Sequence, residues 1–129
     1  MKARTKAGFK GGIINVSSVG ADVAEFKGLT VYAGTKAFNM VFSNIMAKEL
    51  RGVVDVMAVN PSHVNTNMNP NPDNFFALEA DTFVRHTLAK VGYDRNTYGH
   101  WKHQMWCHYY DRPVPEKFFS ILNSISRTR

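Results

Sequence analysis

Two short apolar runs separated by one long helical segment constrain this chain most. Ile13, Ile14 and Val16 form the first run, rich in β-branched residues, with Gly11-Gly12 ahead of it and Ser17-Ser18 behind. They predict a strand over 12–17. The second run, VVDVMAV, predicts a strand over 53–59 and ends at Asn60-Pro61. Between them, residues 30–50 carry helical spacing, and Gly52 supplies a stop. Runs this apolar read as strands covered on both faces, and strands joined through a helix lie parallel.

The helix opens with Tyr32 and Lys36, four residues apart and so on one face, one turn from each other. Ser17 and Ser18 stand at the carboxyl end of the first strand. A serine, a tyrosine and a lysine so placed make a chemical set. A phenol ordinarily holds its proton to a pKa near 10, and a nearby ammonium favours the phenolate. A serine hydroxyl can hold a carbonyl oxygen while charge develops on it. Such a trio suits proton transfer to or from a carbonyl or alcohol oxygen, coupled to hydride transfer with a cofactor. Each residue also has a structural reading: Tyr32 as a core aromatic, Lys36 as a solvated helix residue, and the serines as a turn. The ordered set as a whole is far more specific than any one of them.

At this point the chain resembles a family. The strand ending in Asn15-Val16-Ser17-Ser18, the Tyr32-Ala33-Gly34-Thr35-Lys36 motif and the later Asn60-Pro61-Ser62-His63-Val64-Asn65-Thr66 resemble the carboxyl-terminal half of a short-chain dehydrogenase/reductase. Further pieces, at 81–84, 90–92 and 95–101, resemble the very-long-chain 3-oxoacyl-CoA reductases and related 17β-hydroxysteroid dehydrogenases. The resemblance implies an α/β fold, the carboxyl-terminal half of a Rossmann-like doubly wound parallel sheet. Two to three strands with flanking helices are expected, the first half being absent. Residues 1–129 then make one partial domain: a strand-helix-strand catalytic part over 1–66, and a substrate-lid and carboxyl-terminal part over 67–129.

The resemblance also implies an activity, NADPH-dependent reduction of a ketone, either a 3-oxoacyl-CoA or a steroid, to an alcohol. NADH stays open, because no residue that would select between the two is identified. Ser18 would bind the substrate carbonyl, Tyr32 would be the general acid, and Lys36 would hold the nicotinamide ribose. Pro61, Val64 and Thr66 join Tyr32 and Lys36 as the implied cofactor-binding residues. Ser18 and Tyr32 lie fourteen positions apart, one more than the family's usual spacing. Either the loop carries an insertion or Val19 stands in the serine's place, and the insertion reading assigns Ser18. Ser62 replaces the general family's glycine, and His63 reads as a loop residue rather than a catalyst.

The helix over 30–50 is apolar on more than one side, with Val31, Phe38, Met40, Val41, Phe42 and Ile45 among its residues. That width implies either deep burial or a subunit interface, and the resemblance implies a homodimer contact there. Residues 65–74 have loop composition and resemble the start of a substrate lid. A helix is expected over 75–90, a last strand over 97–103 and a short amphipathic helix over 116–126. The last could be core, substrate wall or membrane-surface contact. His100, His103, Cys107 and His108 match no closed zinc site, so no metal is expected.

Composition narrows the classes that remain. With 129 residues there is room for one domain, and one cysteine excludes an intrachain disulfide. The net charge of +6 is scattered, with no basic helix or arginine-aromatic array, so no nucleic-acid partner is expected. It fits an anionic cofactor, an acyl-CoA or a membrane surface better. The sequence shows no signal or membrane-spanning segment. The resemblance places the protein at the endoplasmic reticulum; without it the expectation is cytoplasmic. No G-x-x-x-G-x-G turn is present to receive a pyrophosphate. A truncated, inactive interaction module is therefore the rival reading, and an unpaired sheet edge and marginal stability are expected of the isolated chain.

Overall fold

The structure, a computed structural model, describes residues 10–22, 27–70, 74–110, 120, 121 and 124. Strand β1 (Gly11–Val16) leads through a short 3-10 turn (Val19–Ala21) towards helix α1 (Thr30–Glu49), which returns the chain to strand β2 (Val54–Val59). Two-residue strands β3 (Val64–Asn65) and β4 (Leu78–Glu79) precede helix α2 (Ala80–Leu88). Strand β5 (Asn96–Thr97) and helix α3 (Trp101–Tyr110) follow.

The main sheet runs β1-β2-β5, all parallel. β1 and β2 pair over six residues, from Gly11 opposite Val54 to Val16 opposite Val59. β2 is the central strand, and Val56 to Val59 are sealed from solvent, as a parallel strand covered on both faces should be. β1 departs from expectation. Its residues alternate between half-buried and exposed, and Val16 is 56% exposed. Among the described residues β1 pairs only with β2, so its outer edge is open and one of its faces is thinly covered.

Helix α1 packs Met46 and Ala47, with Leu50 just past its end, against Ile13, Val54 and Val56. Ser43 is buried at this contact, where its hydroxyl donates to the Asn39 carbonyl (2.7 Å) and accepts from the Asn15 amide (2.8 Å). Gly52, at φ +87°, lets the chain turn out of the helix into β2. The deep-burial reading of α1 does not hold. Only Ser43 and Ala47 are buried, while Val31, Phe38, Val41, Phe42 and Ile45 are exposed.

Two expected elements are corrected. The helix expected over 75–90 begins only at Ala80, because Asn74 closes a turn first. Its side-chain oxygen accepts from the Phe76 amide (2.9 Å) and its carbonyl from the Ala77 amide (3.0 Å). The strand expected over 97–103 stops at Thr97. Gly99 takes φ +75°, and a Cβ there would lie 2.5 Å from the Phe83 ring, so α2 packs directly on this turn. Trp101 then starts a helix whose first turn is capped by His100 Nδ1, accepting from the Lys102 amide (3.2 Å). The helix expected over 116–126 lies outside the described residues except for Ser120, Ile121 and Ser124, which are helical.

Candidate active site

The site forms at the carboxyl ends of the parallel strands, where β1 and β2 hand over to loops. The two serines after β1 diverge. Ser17 turns inward: its hydroxyl donates to the Lys36 carbonyl at 2.6 Å, and its amide donates to the Val59 carbonyl at 2.7 Å. Ser18 caps the 3-10 turn, its hydroxyl accepting from the Gly20 amide at 3.1 Å. The Val19 amide donates to the Pro61 carbonyl at 3.0 Å, tying the serine turn to the loop after β2. Val19 itself is buried against Phe76, Trp106 and Cys107.

Tyr32 and Lys36 project from the first turns of α1 towards this junction. The Lys36 ammonium donates to the Val16 carbonyl at 3.1 Å and lies 5.7 Å from the centre of the Tyr32 ring. Tyr32 is 44% exposed. A pocket of about 230 Å³ is lined by Ser18 and Tyr32 together with Leu29, Pro61, Ser62, His63, Asn69 and Trp106. Ser18, Tyr32 and Pro61 thus share one pocket, with Lys36 beside Tyr32. Val64 and Thr66 are not among its lining residues. Val64 packs with the Met57, Val59, Leu78 and Phe83 cluster, and Thr66 is exposed in a turn closed by its bridge to Asn69.

Three residues set aside or unnoticed in the sequence shape this pocket. His103 is fully buried. Its Nδ1 accepts from the Ser62 amide (3.3 Å), and its Nε2 donates to the His63 carbonyl (3.1 Å), which fixes the neutral tautomer protonated at Nε2. Burial pushes its pKa down to about 4, against the opposing pull of the bond to His63. Trp106, three residues on and on the same face of α3, lines the pocket and meets the His63 ring edge-on at 5.7 Å. His63 lines it too, and burial lowers its pKa below the usual histidine range. The clue in the sequence was the spacing of His103 and Trp106, legible only once 101–110 is read as a helix.

The remaining candidates of the histidine-cysteine cluster are engaged elsewhere. Cys107 donates to the Tyr98 hydroxyl (3.4 Å), which donates to Asp22 (2.9 Å). Burial first, then these bonds, hold the Tyr98 phenol well above its usual range. Among the described residues no three His, Cys, Asp or Glu side chains gather as a metal site, and no helix is long and apolar enough to cross a membrane.

A parallel α/β sheet with a serine turn and a tyrosine-lysine helix at its carboxyl edge is a Rossmann-like arrangement. Residues 1–74 match the family described as short chain dehydrogenase, and the chain belongs to that family. It is 31% identical over 96 residues to "Putative steroid dehydrogenase 4" of Caenorhabditis elegans, covering 72% of this chain and 36% of that protein. It is 42% identical over 59 residues to L-xylulose reductase of Aspergillus niger, covering 46% of this chain and 20% of that one. The chain therefore spans little more than a third, or less, of the curated relatives it matches. The fold aligns with the bulky-bulky ketone specific alcohol dehydrogenase from Comamonas testosteroni at a TM-score of 0.57 and 24% identity, over 98% of this chain and 45% of that one.

Proposed function

We propose that this chain carries the catalytic part of an NADPH-dependent oxidoreductase that reduces a ketone to an alcohol, its substrate a 3-oxoacyl-CoA or steroid-type ketone. The observation that carries this reading is the shared pocket of Ser18 and Tyr32, with the Lys36 ammonium against the Tyr32 ring. The Ser18 hydroxyl donates to the substrate carbonyl oxygen. Tyr32 gives that oxygen its proton, and Lys36 supplies the positive charge that stabilises the phenolate left behind.

The residues present fit the nicotinamide-ribose end of such a cofactor. One Lys36 proton goes to Val16, and the other two have no protein acceptor among the described residues, which suits a pair of ribose hydroxyls. Pro61 lines the pocket with Tyr32, and further along the chain the Val64 backbone and the Thr66 hydroxyl would meet the carboxamide. When bound, the cofactor supplies the hydride to the carbonyl carbon. The exposed Phe38, Val41, Phe42 and Ile45 of α1, with Phe38 stacked on Phe42 at 5.7 Å, suit contact with a second subunit. The two short matches to a steroid dehydrogenase and a sugar reductase agree in reaction type and support the carbonyl-alcohol assignment.

The test is NADPH consumption by the purified protein with a ketone, compared with Tyr32→Phe. Removing the acid should lower the rate by about a thousandfold at unchanged cofactor affinity. A folded protein that binds NADPH yet loses no rate in Tyr32→Phe would refute the assignment. A folded protein that binds no NADPH would favour the interaction-module reading.

A further inference from the structure

The pocket holds more hydrogen-bonding groups than reduction of a simple ketone uses, with Ser62, His63 and Asn69 among its lining residues. Ser18 and Tyr32 between them serve the reacting oxygen. His63 lines the same pocket and is placed with unusual care for a loop residue. Its carbonyl accepts two bonds, from the Leu78 amide and from His103 Nε2, both at 3.1 Å. The preceding amide is held by His103 Nδ1. The imidazole lies edge-on to Trp106, and its Nδ1 sits 3.0 Å from the Ser62 hydroxyl. Its Nε2 has no protein partner among the described residues. A half-buried ring nitrogen held this way loses a hydrogen bond whenever an apolar ligand displaces water from it. A leucine or phenylalanine would pack on Trp106 without that loss.

We infer that His63 is a specificity-determining residue whose imidazole takes a second oxygen of the substrate, so that the pocket is built for a ketone bearing a neighbouring carbonyl or hydroxyl. An isolated ketone on a hydrocarbon frame would leave that nitrogen unpaired. Burial keeps the ring uncharged near neutrality, so it recognises an uncharged oxygen through one hydrogen bond rather than an anion through charge. The inference rests on the reductase reading of the same pocket and narrows its substrate.

The experiment compares ethyl acetoacetate, a β-keto ester, with methyl hexyl ketone, which has the same number of heavy atoms and one oxygen. The quantity read is the ratio of their kcat/KM values, in wild type, His63→Leu and His63→Gln. The ratio should fall about tenfold in His63→Leu, the worth of one neutral hydrogen bond. It should stay within about threefold of wild type in His63→Gln, whose amide reaches the position of Nε2. A ratio unchanged in His63→Leu, or lost equally in both variants, overturns the inference while leaving the reductase reading standing. If neither ketone is reduced, the reductase reading fails, and binding of the same two compounds to the wild-type protein decides the matter without turnover. Titrations followed through the His63 ring resonances should show the keto ester binding about tenfold more tightly and shifting those resonances. Equal affinity, or no shift at His63, overturns the inference.

Discussion

His103 links the pocket to pH through stability, and the effect can be worked out. Its imidazole is buried, neutral and doubly bonded, with a pKa pushed to about 4 against 6.5 for an unperturbed histidine. Between those values the unfolded chain binds a proton that the folded chain refuses, so stability falls as pH drops through this window. Above pH 6.5 the contribution is fully present; below about 4 it is fully lost. At pH 5 the two proton affinities differ by enough to cost about 2 kcal/mol.

The perturbation is His103→Gln, which offers an acceptor and a donor to the Ser62 amide and the His63 carbonyl but does not titrate. Urea unfolding of wild type and variant at pH 7 and pH 5 gives four free energies. The wild type should lose about 2 kcal/mol more than the variant between the two pH values, a midpoint difference of about 1 M urea. His63 and His100 also have lowered pKa values and contribute to the slope of both proteins, so the difference isolates His103. Equal pH dependence in the two proteins would refute the buried, neutral assignment, and with it the tautomer that ties the pocket loop.

Further outcomes are expected. Gly99→Ala would drive a Cβ into the Phe83 ring and the Thr87 hydroxyl, at 2.5 and 2.6 Å, from a left-handed backbone, and should destabilise by about 2–3 kcal/mol in chemical denaturation. Ser43→Ala strips the Asn15 amide of its buried acceptor and should cost about 1–2 kcal/mol, read in the same assay. Phe38→Ser with Phe42→Ser should leave the urea midpoint nearly unchanged, since both rings are exposed, yet shift sedimentation towards the monomer if α1 is the subunit contact. Ser18→Ala should lower the ketone reduction rate by about a hundredfold with cofactor binding intact, measured by single-turnover kinetics.

Much of the strand-helix-strand part was legible because its signals are local. Apolar β-branched runs marked β1 and β2, helical spacing and Gly52 bounded α1, and the four-residue step from Tyr32 to Lys36 fixed their shared face. The choice of Ser18 over Val19 rested on the resemblance; the fold turns the Ser17 hydroxyl to the Lys36 carbonyl, lines the pocket with Ser18 and packs Val19 against Phe76 and Trp106. β3 and β4 escaped notice because two-residue strands carry no period, and their pairing joins Val64 to Leu78 across a loop. The segment after Thr97 was misread as strand because His100, Trp101 and His103 suit either state, whereas the left-handed Gly99 was the real punctuation. His103 could not be assigned a role from sequence, its partners being 40 and 41 residues away.

That separation bears on how the protein is made. A ribosome that has released the β1-α1-β2 unit has delivered Ser18, Tyr32 and Lys36, and their contacts with the two strands are free to form. The wall opposite them is held first by the Val19 and Leu78 amides, and its last tie waits until residue 103 emerges and its ring bonds the Ser62 amide and the His63 carbonyl. Contacts of such span close late and slowly. The nascent chain therefore carries Ser18 and Tyr32 before the opposite wall is complete, and the pocket closes with the histidine, not with the tyrosine.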